Sequence, residues 1–149
     1  MQDRCDTERP AIRLMIVDDQ VAEVNLMRKV LREAFPVQVE VVAVLYAEDA
    51  IALLEADVNF DVVILDLRLP KMSGYDLLER CKPHYPPAVV FSSSANPDDS
   101  KRALALGARA FIHKPIWYED YVSAVCGIVE RWCDRSLRGR GYPAVTRGA

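Results

Sequence analysis

Several absences narrow the reading of this chain before any motif is considered. No apolar run in its 149 residues approaches the roughly 18 needed to span a bilayer, so nothing suggests membrane insertion. The first ten residues are polar and charged without an apolar centre and do not read as a signal peptide. Net charge is only -3, from 19 basic and 22 acidic residues, which gives no reason to expect a nucleic-acid surface. The four cysteines, Cys5, Cys81, Cys126 and Cys133, lack the close paired spacing of a zinc site. Cys126 and Cys133 stand seven apart on an expected helix, about two turns or roughly 10 Å, beyond disulfide reach. Such thiols fit a reducing cytoplasm. His84 and His113 have no ligand-like partner nearby in sequence and read as surface or structural residues. No long internal repeat and no helix-turn-helix is visible.

What is present is the composition of one globular domain, 51% hydrophobic and 28% charged. Strand and helix patterns alternate five times. Residues 11–17 (AIRLMIV) read as a strand closed by Asp18-Asp19, and residues 20–35 carry Val24, Met27, Leu31 and Ala34 at helical spacing before Pro36. Residues 37–44 (VQVEVVAV) read as a second strand nearer an edge, and 47–56 as a short helix with Ala50, Leu53 and Leu54 inward. The run Val62-Val-Ile-Leu65 is continuously apolar and β-branched, as in a strand buried on both faces. It stops at Asp66, and Pro70 and Ser73-Gly74 force a loop before a third helix over 74–82. Residues 88–91 form a fourth strand ending in three serines. Pro97-Asp98-Asp99 has the acidic first turn of a helix that stops at Gly107. Residues 108–112 are the fifth strand, and Pro115 opens a last helix through about Cys133.

This alternation predicts an α/β fold, a doubly wound five-stranded parallel sheet with helices on both faces. The common flavodoxin-like order 2-1-3-4-5 makes the first and third strands central neighbours. It also opens the ends of strands one, three, four and five onto one crevice. Those ends carry Asp18-Asp19, Asp66, Ser92 and Lys114. Clustered carboxylates repel one another and drive a proton onto one of their number. A hard divalent cation relieves that repulsion, and few carboxylates with room for water and a phosphoryl oxygen describe a magnesium site. Asp66 is then an ionised nucleophile that could form an aspartyl phosphate, with Lys114 and the Ser92 hydroxyl to meet phosphoryl oxygens.

Each choice has a plainer rival. Asp18 could merely cap the first helix, and Asp66 could be a turn residue before Pro70. Lys114 could be a solvated surface charge, and Phe111 could be ordinary core.

Taken in order, Met15-Ile-Val-Asp18-Asp19-Gln20, then Asp66-x-x-x-Pro70-x-Met72-Ser73-Gly74, then Ser92, Gly107-Ala108 and Lys114-Pro115 resemble the receiver domain of two-component response regulators. The resemblance spans residues 11–133, with 1–10 as an N-terminal extension and 134–149 as a short Arg- and Gly-rich tail expected to be disordered. It implies that Asp66 is the phosphoacceptor. It implies that Asp19 and Asp66 hold magnesium directly with the backbone carbonyl of Arg68, and that Asp18 acts through water. Ser92 becomes the switch hydroxyl, Phe111 the switch aromatic, Lys114 the phosphate-contacting ammonium, and the Lys114-Pro115 bond is expected to be cis. Gly107 and Lys114 lie fifteen and twenty-two residues after Ser92, as in receivers generally, which favours Ser92 over Ser93.

The implied function is a switch, phosphorylated by a histidine kinase or phosphotransfer protein in the cytoplasm. It signals to a protein partner, or as a homodimer, through the face of the fourth helix, fifth strand and fifth helix. The aromatic residues of the last helix, Trp117, Tyr118, Tyr121 and Trp132, are more than one face needs and would supply part of that surface.

Departures from the pattern are informative. Ser93 stands where the family usually has Ala or Gly; Arg68, two after Asp66, is expected beside the path of attacking water, and with Ser94, two after Ser92, it is expected to set autodephosphorylation. Residues 109–110 lack the acidic pair common in receivers attached to winged-helix DNA-binding domains, so that charged dimer pattern is not expected. Phosphatases with an Asp nucleophile usually carry a second Asp two residues on, where Arg68 stands here, which argues against an enzyme proper. The start at Met1 favours a receiver that acts alone over a fragment of a larger regulator.

Overall fold

Five β-branched apolar runs form the strands: β1 (Ile12–Val17), β2 (Val39–Val44), β3 (Val62–Leu65), β4 (Ala88–Ser92) and β5 (Ala110–His113). Between and after them lie α1 (Val21–Ala34), α2 (Ala47–Glu55), α3 (Gly74–Arg80), α4 (Pro97–Ala105) and α5 (Tyr118–Trp132). These elements come from a computed structural model, which describes residues 12–133. The readings for residues 1–10, Cys5 and 134–149, and the expected strand and domain start at residue 11, lie outside the described residues.

All strand pairs are parallel and the order is β2-β1-β3-β4-β5. This is the doubly wound α/β sheet expected from the alternation. Because successive side chains on a strand point to opposite faces, the sheet divides its apolar residues between two cores. Leu14, Ile16, Val62, Ile64, Val89 and Phe91 pack beneath α1 and α5. Met15, Val17, Val63, Leu65, Ala88 and Val90 pack against α2, α3 and α4. Strands covered on both faces have no polar alternation, which explains the unbroken VVIL of β3.

Element boundaries differ where turn chemistry intervenes. Phe35 is already extended (φ -119°, ψ 130°) and closes α1, and β2 begins at Val39 as an edge strand. The last helix starts at Tyr118, three residues after Pro115. Trp117 is still extended (φ -85°, ψ 139°), and the acidic pair Glu119-Asp120 supplies the favourable first turn. The bond before Pro115 is trans, since no cis peptide occurs among the described residues. This corrects the cis expectation. Trans is the lower-energy isomer even before proline, and the trans chain already delivers Lys114 to the strand-end pocket.

Gly74 is required by proximity. A Cβ there would stand 2.7 Å from the Asp66 carbonyl oxygen and 2.8 Å from Leu67 Cα, and its N–H donates to the Leu67 carbonyl at 3.0 Å. The start of α3 is thereby pressed against the chain leaving β3. Ser73 closes the arrangement as N-cap, accepting from the Asp76 N–H while Asp76 accepts from Ser73 in return.

Candidate functional site

The pocket is assembled by the ends of the ladders. Val17 pairs with Leu65 in the β1–β3 register, so Asp18 and Asp66, each one residue further on, emerge side by side. Their backbones remain tied to the sheet. The Asp18 N–H donates to the Val44 carbonyl at 3.1 Å, the Asp66 N–H to Val17 at 3.0 Å, and the Lys114 N–H to Ser92 at 2.7 Å. Three charged residues from separate segments are thus each fixed by the last hydrogen bond of a strand.

Asp18, Asp19 and Asp66 each offer one carboxylate oxygen such that all lie within 4.8 Å of one another. Asp19 is exposed and the other two carboxylates are largely covered. Lys114 reaches in from the end of β5, with its Nζ 3.2 Å from Asp18 Oδ2, 3.8 Å from Glu23 Oε2 and 4.0 Å from Asp66 Oδ2. Its side chain is only 13% exposed, which sets aside the reading of a solvated surface lysine. The turn reading of Asp66 holds in part, whereas Asp18 does not cap α1, whose N-cap is Gln20 with no side-chain cap bond. Asp18 Oδ1 accepts the Gln20 N–H at 2.9 Å, and Asp66 Oδ1 accepts the Arg68 N–H weakly at 3.4 Å. Each carboxylate therefore spends one oxygen on local backbone and turns the other towards Lys114.

The charge balance of the pocket shows in its protonation. Burial raises the Asp66 carboxyl above its ordinary value, Lys114 lowers it, and Asp18 raises it again. Four acids, Asp18, Asp19, Glu23 and Asp66, around one ammonium are short of positive charge, and a divalent cation would reverse the upward trend. The donor set is all oxygen, few in number and open on the Asp19 side, which fits a hard cation that keeps several waters.

Ser92 ends β4 and is buried, whereas Ser93 is exposed. Phe111 lies on β5 as a partly buried neighbour of the α2–α4 core. Arg68 is exposed, and its guanidinium helps hold the Asp99 carboxyl low. The Ser94 N–H donates to the Ser92 hydroxyl oxygen at 3.1 Å, but the Ser94 side chain is engaged elsewhere than at the pocket. Its hydroxyl donates to Asp99 on α4 and accepts the Asn96 N–H at 3.2 Å. Tyr75 on α3 donates to the other Asp99 oxygen at 2.6 Å, with the Arg102 guanidinium stacked 3.9 Å over its ring. The two hydroxyl donors hold the Asp99 carboxyl below the usual range, and burial with the Asp99 contact pushes Tyr75 up to about 12.

This α3–α4 link and Glu23 were missed in the sequence, although Asp99 had been noted as part of an acidic first turn. Of the last-helix aromatic residues, Tyr121 is buried and Trp132 partly so. Trp117 (73% exposed) and Tyr118 stay at the surface beside Ile116 (88%). His84 and His113 are exposed. Burial raises the thiols of Cys81 and Cys126, the latter to about 11, so both stay protonated. Among the described residues no helix is long and apolar enough to cross a membrane.

Comparison with known proteins agrees with this geometry. The family described as "Response regulator receiver domain" matches residues 14–126. The two-component response regulator ORR3 of Oryza sativa subsp. indica is 32% identical over 124 residues, covering 80% of this chain and 92% of the relative. Sensory/regulatory protein RpfC of Xanthomonas campestris pv. campestris is 30% identical over 112 residues, covering 71% of this chain and 15% of that much longer protein. The phosphorylated cyanobacterial phytochrome response regulator RcpA superposes with a TM-score of 0.75 at 29% identity, and the Mn(2+)-bound form of response regulator Rcp1 with 0.72 at 25%. Each covers 89% of this chain and 99% of its own. With its sheet order, its strand-end acids and these matches, the chain belongs to the response regulator receiver domain family of two-component signalling proteins.

Proposed function

We propose that this protein is a phosphorylation-gated switch whose residues 11–133 form the receiver unit and whose Asp66 accepts the phosphoryl group. The observation that carries the reading is the convergence of Asp18, Asp19 and Asp66 within 4.8 Å, with the Lys114 ammonium 4.0 Å from Asp66. The donor is a histidine kinase or phosphotransfer protein in the cytoplasm. In the transfer, an Asp66 oxygen forms a bond to phosphorus as the donor's N–P bond breaks, and the electron pair of that bond leaves with the donor imidazole. Asp19 and Asp66 would hold Mg2+ directly with the Arg68 carbonyl, and Asp18 through water. When bound, the cation neutralises carboxylate and phosphoryl charge together. Solution of Rcp1 with Mn(2+) and of RcpA in phosphorylated form supports both parts.

Lys114 then trades part of its pairing with Asp18 for a phosphoryl oxygen, and the Ser92 hydroxyl donates to another. Lys114 and Ser92 are joined through the backbone at 2.7 Å, so movement at either is felt along β4–β5. Phe111 follows on the same strand, and the face of α4, β5 and α5 presents the change to a partner protein or a second copy. Hydrogen exchange along that face with and without a phosphoryl analogue tests this output, and identical exchange overturns it.

The acceptor is tested by incubating the protein with acetyl phosphate and Mg2+ and recording intact mass. One added phosphoryl group that disappears in Asp66→Asn and with chelator is expected. Retention of the group in Asp66→Asn overturns the assignment.

A further inference from the structure

Lys114 has a carboxylate neighbour that lies outside the motifs of the receiver pattern. Glu23 sits in the first turn of α1, and its Oε2 stands 3.8 Å from Lys114 Nζ. The same oxygen accepts the Tyr121 hydroxyl at 2.8 Å. Tyr121 is buried in the first turns of α5, with its ring 5.5 Å from that of Phe91. Phe91 in turn lies 5.9 Å beneath the Lys114 ammonium. One ammonium is thus shared among Asp18, Glu23 and Asp66, and one Glu23 oxygen faces both an ammonium and a hydroxyl.

The two competitions oppose each other. A carboxylate oxygen that gave itself wholly to Lys114 would draw the ammonium off Asp18 and Asp66. A hydroxyl that occupies the oxygen limits that draw and keeps the Glu23–Lys114 separation at 3.8 Å, longer than the 3.2 Å to Asp18. The hydroxyl is neutral, so it tunes the carboxylate without cancelling its charge.

We propose that Glu23 and Tyr121 are positioning residues for Lys114: Tyr121 restrains Glu23, Glu23 holds back a share of the ammonium, and together they set how freely Asp18 and Asp66 receive a divalent cation. The proposal rests on the reading of the pocket as a cation and phosphoryl site. It also links α1 to α5 through the pocket, a route separate from Ser92 and Phe111.

The two residues carry opposite signs, which a merely structural role does not. Glu23→Gln removes one negative charge and returns Lys114 to Asp18 and Asp66, so the cation binds more weakly. Tyr121→Phe keeps the Glu23 charge and the buried ring but frees Oε2 to close on Lys114. Asp18 and Asp66 are then released, and the cation binds more tightly.

The experiment is a Mg2+ titration of the full chain at fixed ionic strength, followed by intrinsic fluorescence and calorimetry. Near-UV circular dichroism establishes that each variant is folded. Expected is a Kd raised about threefold in Glu23→Gln and lowered about twofold in Tyr121→Phe. In the double variant, Tyr121→Phe should add nothing to Glu23→Gln. Shifts of the same sign, or no shift in either variant while the unaltered chain binds Mg2+, overturn the proposal. An unaltered chain that does not bind Mg2+ overturns the reading of the pocket itself.

Discussion

The Lys114 ammonium stands closer to Asp18, at 3.2 Å, than to the proposed acceptor Asp66, at 4.0 Å. Resting electrostatics therefore favour Asp18 over Asp66, and the side chains of the Lys114–Asp18 pair are 13% and 5% exposed. Removing one member of so covered a pair leaves the other without its countercharge, a loss of about 3 kcal/mol by comparison with other buried pairs. Asp18 does not stand alone, however, because Asp19 and Asp66 surround it.

Lys114→Met should accordingly lose about that stability in chelator and regain much of it in millimolar Mg2+, where a cation takes over the neutralisation. Urea unfolding under the two conditions measures both numbers. An equal loss with and without Mg2+ would show that the ammonium supports the fold by packing alone. The same variant should also retain no stable phosphoryl group.

Asp66 makes the stability of the metal-free protein depend on pH in a defined direction. Its folded carboxyl is raised above the unfolded value of 3.8 by burial and by Asp18, against the pull of Lys114. Between the unfolded and folded values the native state binds more protons than the unfolded chain, so stability falls as pH rises through the folded value. The contribution is complete below 3.8 and is lost as pH rises through the folded value, above which the buried charge is a cost. Asp66→Asn removes that cost. In chelator at pH 7 its melting temperature should exceed that of the unaltered chain by about 3 °C, and the gap should close towards pH 4. Added Mg2+ should stabilise the unaltered chain more than the variant. A gap that does not change with pH would place the effect elsewhere.

The groups at the strand ends were legible in the sequence because each is the first residue after an apolar run, and a parallel sheet of known order leaves those positions one place to meet. Asp18 beside Asp66 follows from the Val17–Leu65 register, which is itself a consequence of where the runs stop. Glu23 and Tyr121, 98 residues apart, meet only because α1 and α5 lie on the same face of the sheet. Neither residue interrupts a pattern: Glu23 reads as a solvated helical charge and Tyr121 as one more aromatic residue of a rich segment. Tyr75 and Asp99 are hidden for the same reason, since a Gly-Tyr at a helix start and a Pro-Asp-Asp at another carry no mutual signal. The start of α5 was misplaced because proline at the first turn of a helix is common, whereas here Ile116 and Trp117 extend the loop first.

Gly74 tests whether the loop after Asp66 is held by contact. Alanine is the better helix former by about 1 kcal/mol, so an open site would be stabilised by Gly74→Ala. Its methyl would instead meet the Asp66 carbonyl oxygen at 2.7 Å and Leu67 Cα at 2.8 Å, which are backbone atoms unable to turn aside. The variant should lose about 2 kcal/mol and bind Mg2+ several-fold more weakly, because the same displacement moves Asp66 and the Arg68 carbonyl. Denaturant titration and metal titration read the two effects. Unchanged Mg2+ affinity in a destabilised variant would separate the helix junction from the pocket.

Ser94 and Arg68 are the two residues expected to govern hydrolysis of the aspartyl phosphate, and the structure shows how the first is restrained. The Ser94 hydroxyl donates to Asp99 and accepts from Asn96, so its single proton is committed to α4 and away from an attacking water. Asp99 is also held by Tyr75 from α3, and Arg68 adds its charge from the loop after β3. If this tether sets the position of Ser94, Asp99→Asn should change the phosphoryl half-life through Ser94 and not independently of it. A coupling of about 1 kcal/mol for such a hydrogen bond corresponds to roughly fivefold in rate. Half-lives of Asp99→Asn, Ser94→Ala and the double variant, all phosphorylated with acetyl phosphate, form the cycle that measures it. The expected outcome is that the double variant decays as Ser94→Ala does. Exchange of Arg68 together with Ser94 should shift the half-life further, because the Arg68 charge also acts on the Asp99 carboxylate that holds Ser94. Independent, multiplicative effects of Asp99 and Ser94 would break the tether, and a half-life indifferent to Arg68 and Ser94 together would remove both from control of the switch.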